Sequence, residues 1–301
     1  MGTRWSVLCD LEPGVDPAAL RRDLAAAVEQ VDRQMSPWKP DSDLVRLNRA
    51  PTDEWVPLPA EITAVLARAL DVARLSHGAF DPTVGALVDA WGFGAARDAP
   101  DAAAIRAAPR PAYEKLELDP AAGRARKHAL LQVDLCGIAK GYAVDRMAQV
   151  LQQHGVAHAL AALDGELRAL GSQADGTPWA VALERPDTGR RAAHGVLELA
   201  DLAVATSGDY RHFVQVGEAR LAHSMDGRSG RPVHNGVASV TVLAPACMDA
   251  DAWATALLVA GPGEGLALAQ RHGLEVLWLL RRGDTLTEIG LGRFDARETA
   301  G

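Results

Sequence analysis

The sequence predicts an α+β fold, one compact body over residues 1–301 that is open to division into two lobes. Three observations predict it. Apolar residues in the first third recur every three or four positions, the spacing of amphipathic helices. From about residue 157 onward, short apolar runs read as strands and then mix with helices, which suits an α+β chain better than an alternating parallel one. No low-complexity linker or short tandem repeat separates the two regions.

Taken in order, Asp16-Pro17 pairs an N-cap with a first-turn proline. Leu20, Leu24, Val28, Val31 and Met35 then form the buried face of a helix. A second helix starts at Pro59, buries Ile62, Val65, Leu66, Ala69, Val72 and Leu75, and stops at Gly78. Residues 95–112, rich in alanine and broken by prolines, read as loop with a short helix. Leu130 to Leu135 alternates weakly and is expected to be a strand running into Cys136-Gly137. A helix from Ala139 buries Ala143, Met147, Val150 and Leu151 and ends at Gly155. Strands are expected at 157–162, 179–183, 196–199, 202–206 and 237–244. Helices near 251–259 and 263–272 and a strand at Val276 to Leu280 complete the chain.

Composition narrows the function. With 48% hydrophobic and 23% charged residues, the chain lies in the globular range, outside the disordered one. Its net charge of -8 and lack of a basic block make it a poor ligand for nucleic acid. An anionic ligand must then be met by backbone amides, local cations or a bound metal. Cys9, Cys136 and Cys247 are scattered and odd in number, which excludes a disulfide framework and a cysteine zinc site. No apolar stretch approaches the roughly 20 residues of a membrane span. Met1 to Asp10 lacks the charge-then-apolar layout of a signal peptide. The chain as written is therefore expected to be cytoplasmic, or periplasmic if an export leader precedes it.

Several segments can carry chemistry. Asp251 and Thr255 lie four apart on a helix, so a carboxylate and a hydroxyl can converge as a hard-oxygen half-site for Mg²⁺. The same spacing is met by a helix cap with an ordinary threonine behind it, and that plainer account is the default. Gly137-Ile138-Ala139-Lys140-Gly141-Tyr142 opens a helix with free amides and a cation, suited to phosphate, but it has neither the P-loop nor the Rossmann spacing. A tight packing turn explains it as well. Thr206-Ser207-Gly208 follows an apolar run and puts hydroxyls at a sheet edge, without the nucleophile-elbow pattern of a hydrolase. His223 precedes a glycine-punctuated turn and is a candidate proton carrier among nine histidines. Trp38 and Phe80 can flank a flat conjugated ring, although core packing is the default for each.

Together and in this order, these segments resemble the FAD:protein FMN transferase (ApbE-type) family, once labelled thiamine-biosynthesis lipoproteins. The resemblance rests on Met35-Ser36-Pro37-Trp38 with Asp41-Ser42 and Leu47-Asn48, and on Phe80-Asp81-Pro82-Thr83-Val84 with Trp91-Gly92-Phe93-Gly94. It continues through Asp134-Leu135, Gly137 to Asp145, Thr206 to Arg211, His223 with Asp226 and Gly230, and Ala250-Asp251 to Thr255. It implies an ApbE-like α+β body with a flavin site between its lobes. The implied reaction moves FMN from FAD to a Ser or Thr hydroxyl of a target flavoprotein and releases AMP, with Mg²⁺ as cofactor.

Carried over by motif, the implied metal ligands are Asp251, Thr255 and the backbone oxygen of Ala139. The implied flavin contacts are Met1, Trp38, Ala79, Phe80, Asp81, Cys136, Tyr142 and Met225, and the implied catalytic residue is His223. The chain departs from the family pattern in three places. Asp164-Gly165-Glu166 replaces Gly-Gly-Asp and predicts a less close backbone approach there. Gly227 replaces a proline and predicts a looser turn, and Cys136 replaces a smaller residue and predicts a narrower pocket. A Mg²⁺-dependent FAD pyrophosphatase, or a flavin-binding carrier without turnover, are the alternative activities.

Overall fold

Seven strands form the main sheet: β1 (Trp5–Cys9), β2 (Ala159–Leu163), β3 (Glu166–Leu170), β4 (Ala203–Gly208), β5 (Val237–Ala244), β6 (Glu275–Arg282) and β7 (Thr285–Leu291). Their order across the sheet is their order along the chain. Every neighbouring pair is antiparallel. The computed structural model describes residues 3–11, 13–95, 99–187, 192–209, 213–216, 219–283 and 285–295, with backbone alone at 213–216 and 219–221.

The helices enter as insertions between strands. Between β1 and β2 lie α1 (Pro17–Met35), α2 (Asp43–Arg49), α3 (Ala60–Leu75), α4 (Gly85–Ala90), α5 (Ala102–Ala107) and α6 (Ala139–Gln153), and α7 (Cys247–Arg271) joins β5 to β6. All eight residues of β5 are buried, so both faces of the sheet are covered. Strand alternation divides them. Val240 and Val242 join the large core that includes Trp253 and Leu257 of α7. Leu243 instead packs with Trp179, Val181, Leu197 and Leu199, from a hairpin of Trp179–Glu184 and Ala193–Leu199.

Local sequence explains most helix starts. The Asp16 side chain accepts from the Ala18 amide at 2.9 Å, and Pro17 opens α1, whose buried face carries Leu20, Leu24, Val31 and Met35. The second predicted helix is α3, which begins one residue after Pro59, and the chain turns away at Gly78 with φ 77°. The last predicted helix pair is α7, split at Gly261 (φ 73°) and Pro262. Among the described residues this is the helix long and apolar enough to cross a membrane. The break at Gly261 and its burial against the sheet make it a core helix.

Two expectations are corrected. Leu130 to Leu135 forms no strand, apart from a lone bridge of Gln132 to Val84. Its polar groups pair elsewhere: Val133 exchanges hydrogen bonds with the Asn48 side chain, and the Asp134 amide donates to the Pro82 carbonyl. The first half of α7 starts at Cys247 and not near 251, because a cap from a distant residue holds its first amides. Strands β1, β3 and β7 and helices α2 and α4 were not among the expected elements. Nor was a small sheet of Val56–Pro57, Leu116–Asp119 and Arg124–Lys127.

Candidate active site

Helix α6, with the turn that leads into it, and helix α7 run antiparallel and meet along three facing pairs about one helical turn apart. A Cβ on Gly137 would lie 2.9 Å from Thr255 Oγ1 and 3.3 Å from the Phe80 ring. A Cβ on Gly141 would lie 2.3 Å from the Cys247 carbonyl oxygen and 2.8 Å from Asp251 Cβ. Only glycine allows that approach. The Gly141 amide donates to Asp251 Oδ2 at 2.9 Å. One turn further along α6, the Asp145 carboxylate accepts from the amides of Cys247 and Met248.

The site is a buried electrostatic cluster. Asp251 is 3% exposed. Burial pushes its carboxyl up to about 7, the Glu166 charge adds to the rise, and the Lys140 ammonium opposes it. Glu166 on β3 is buried and its Oε1 accepts from Lys140 Nζ at 2.5 Å, while its Oε2 has no hydrogen-bond partner. Burial works against the charge of Lys140, yet Glu166 and Asp251 outweigh it and hold the ammonium above its ordinary range. Arg168, two residues along β3, pairs with Asp145. Thr255 Oγ1 lies 3.1 Å from Ser207 Oγ at the end of β4.

Around this cluster sit the loops. Phe80 is buried against Gly137, and Ala79 beside it is also buried. Asp81 Oδ1 accepts from the amide and the hydroxyl of Thr83, and burial raises its carboxyl despite those bonds. Asp134 Oδ1 accepts from the Cys136 amide at 2.7 Å, and desolvation with the adjacent Asp134 charge holds the Cys136 thiol well above its ordinary range. His223 is half-buried, with its ring edge-on to Phe93 at 6.5 Å. Met225 is buried on a short strand facing Pro232. A Cβ on Gly227 would lie 3.2 Å from Pro111 Cβ and 3.3 Å from Val84 Cγ1. The turn expected to be loose is thus packed at Gly227 against the Pro111 and Val84 side chains.

The structure therefore brings together Phe80, Gly137, Gly141, Asp251 and Thr255, and sets the His223–Gly227 turn against the Phe80–Val84 loop. Trp38 lies on the loop between α1 and α2, 57% exposed, and its backbone amide contacts Ser36 Oγ. Tyr142 is half-buried against the large core. Met1, Tyr210 and Arg211 lie outside the described residues. A separate hollow of about 600 Å³, lined by Leu70, Arg74, Glu117 and His128, contains none of the candidate residues.

Among the described residues, no three His, Cys, Asp or Glu side chains converge as a ready metal site. A Mg²⁺ site does not require three. The Asp251 carboxylate, the Thr255 hydroxyl and the Ala139 carbonyl are hard oxygen donors of the kind Mg²⁺ takes, with water and phosphate filling the rest. A buried carboxylate whose ionisation is opposed by burial is also a group that a cation would stabilise. The residues fit the ion. Sequence reasoning missed the ion pairs made by Glu166 and Arg168, and the only signal for them was charge placed on an apolar strand, whereas the Ser207 hydroxyl lies at a sheet end as expected.

Comparisons with known proteins agree with the fold. The ApbE family profile matches residues 1–278. A FAD:protein FMN transferase of Vibrio cholerae is 36% identical over 300 residues, 98% of this chain and 89% of the relative. One from Klebsiella pneumoniae is 34% identical, covering 94% of this chain and 83% of its own length. Among solved structures, the flavin transferase ApbE from Vibrio cholerae superposes with a TM-score of 0.88 at 34% identity, over 98% of this chain and 95% of that one. The apo form of the Pseudomonas stutzeri flavinyl transferase ApbE gives 0.84 at 33% identity, over 99% and 98%.

Proposed function

The chain belongs to the ApbE family, a transferase family, and we propose that it moves FMN from FAD to a Ser or Thr hydroxyl of a target flavoprotein with the help of Mg²⁺. The observation that carries this reading is Asp251, a buried carboxylate held by the Gly141 amide one turn from the Thr255 hydroxyl. Asp251, Thr255 and the Ala139 carbonyl would hold the ion. When bound, Mg²⁺ supplies neutralisation of the pyrophosphate charge, which an acidic protein cannot supply broadly.

The chain's own residues do the remaining work. In the reaction the acceptor oxygen forms a bond to the FMN phosphorus, the pyrophosphate P–O bond breaks, and AMP leaves with the electron pair. A ring nitrogen of His223 takes the proton of the attacking hydroxyl. Trp38, exposed and free to stack, holds the isoalloxazine with Phe80, Ala79, Asp81, Cys136, Tyr142, Met225 and Met1 around it. The Lys140 ammonium, paired with Glu166, supplies positive charge for the phosphates at the start of α6, where the amides of Ile138, Ala139, Gly141 and Tyr142 are already taken by Leu135, Asp251 and Ile138.

The test is incubation with FAD, Mg²⁺ and an acceptor domain, reading flavin fluorescence on the acceptor in a gel and AMP in solution. Labelled acceptor together with AMP, both lost on Asp251→Ala, is the expected result. AMP and free FMN without labelling would turn the reading to a pyrophosphatase. Tight FAD binding without AMP would turn it to a carrier.

A further inference from the structure

We propose that Asp145, braced by Arg168, is a positioning residue that sets where α7 presents Asp251 and Thr255 to the cation, an inference that rests on the Mg²⁺ reading above. Helix α7 begins without a local cap: its N-cap residue, Ala246, has no side chain able to accept from the first-turn amides. Those amides must find partners elsewhere. They find them on another helix, where the two oxygens of Asp145 accept from Cys247 and Met248, each at 2.9 Å.

Asp145 is the third rung of the ladder between the helices, with Gly137 facing Thr255 and Gly141 facing Asp251. The exchange is reciprocal. An early amide of α6 holds a carboxylate of α7, and a carboxylate of α6 holds the first amides of α7. Asp251 lies four residues beyond the capped end, about 6 Å along the axis. A slide or roll of α7 at its capped end therefore moves both oxygen ligands together. Arg168 fixes the Asp145 carboxylate from β3, the strand that also carries Glu166. Sheet, α6 and α7 are thus joined at one buried carboxylate, 6% exposed.

The experiment compares the intact protein with Asp145→Asn, Arg168→Gln and Asp251→Ala. Asparagine keeps the shape but turns one of the two acceptors into a donor, which then faces an amide N–H. Binding of Mn²⁺ alone, as the probe for Mg²⁺, is read by EPR well below the unfolding temperature. The FAD KM, kcat and Tm are measured beside it. Asp145→Asn and Arg168→Gln are expected to weaken Mn²⁺ binding about 10-fold or more, as loss of a group that orients a metal ligand does, while the FAD KM stays unchanged. A variant that loses Tm but binds Mn²⁺ like the intact protein would make Asp145 a structural cap only and overturn the proposal. If Asp145→Asn does not fold, the Arg168→Gln result decides. Asp251→Ala separates the two readings. Loss of Mn²⁺ there, with retention in the other variants, refutes positioning alone, whereas retention in Asp251→Ala refutes the metal site and the inference with it.

Discussion

Single residues carry two kinds of information here, and only one is legible in a sequence. Asp251, Thr255, Phe80 and His223 sit in short motifs, so local spacing singles them out. The partners of Glu166 and Asp145 lie 26 residues away for Lys140, 23 for Arg168 and 102 for Cys247. No spacing rule reaches across such intervals. Glycine shows the same division: its conformational role at Gly78 is read from a helix stop, whereas the role of Gly141 is a contact with another helix. That contact makes a firm prediction. The Cys247 carbonyl that a Gly141 Cβ would meet is backbone and cannot rotate away. Gly141→Ala is therefore expected to lose roughly 1–3 kcal/mol in a urea titration, the usual range for overpacking a well-filled site. Its half-saturating Mg²⁺ concentration should rise as well, because the Gly141 amide leaves Asp251. An alanine variant as stable as the parent would mean that α6 and α7 stand further apart than described.

At the scale of elements, periodicity identified the helices with a strong apolar face, and errors arose where hydrogen bonds went to side chains. Leu131, Val133 and Leu135 are buried in strand-like alternation, but Asn48 occupies the polar groups that a neighbouring strand would need. The small sheet was missed for another reason. Its strands are only two to four residues long, too short for the alternation of Leu116-Glu117-Leu118-Asp119 to stand out, and Arg124 and Arg126 stack on Trp55 at 4.3 and 4.4 Å. His128, just after this sheet, bridges Asp53 at 2.6 Å and Glu117 at 2.7 Å. The bonds to Asp53 and Glu117 favour the charged imidazole and raise its pKa. A raised histidine contributes its stability fully below the unfolded value near 6.5 and loses it as pH climbs through the folded one. The difference in stability between the parent and His128→Gln should therefore be largest near pH 6 and vanish in mildly alkaline buffer. Urea midpoints across pH 5.5–9 check this, and a gap that grows with pH would refute the bridge.

The order of the main sheet is the property of the whole molecule that the sequence concealed most. All of its strands are sequential neighbours, yet the intervals between them range from a tight turn at β2–β3 to an insertion that holds six helices. Strand-like runs show that a sheet exists, but they say nothing about which edge receives which run. The consequence for the site is that its residues come from Phe80 on a loop, Gly141 on α6, Glu166 on β3, Ser207 on β4 and Asp251 on α7. A ligand that bridges these segments binds only when they are assembled, so its binding energy is added to the stability of the whole fold. At a hundred times its Kd, a ligand specific for the native state contributes ~2.7 kcal/mol. For a chain of 301 residues, at about 2 °C per kcal/mol, this corresponds to a rise in Tm of about 5 °C. FAD with Mg²⁺ should produce that shift in calorimetry, FAD alone a smaller one, and Asp251→Ala should remove the increment due to Mg²⁺ while keeping the FAD part. If Asp251→Ala retained the full Mg²⁺ increment, the ion would be stabilising the molecule from some place other than the junction of α6 and α7.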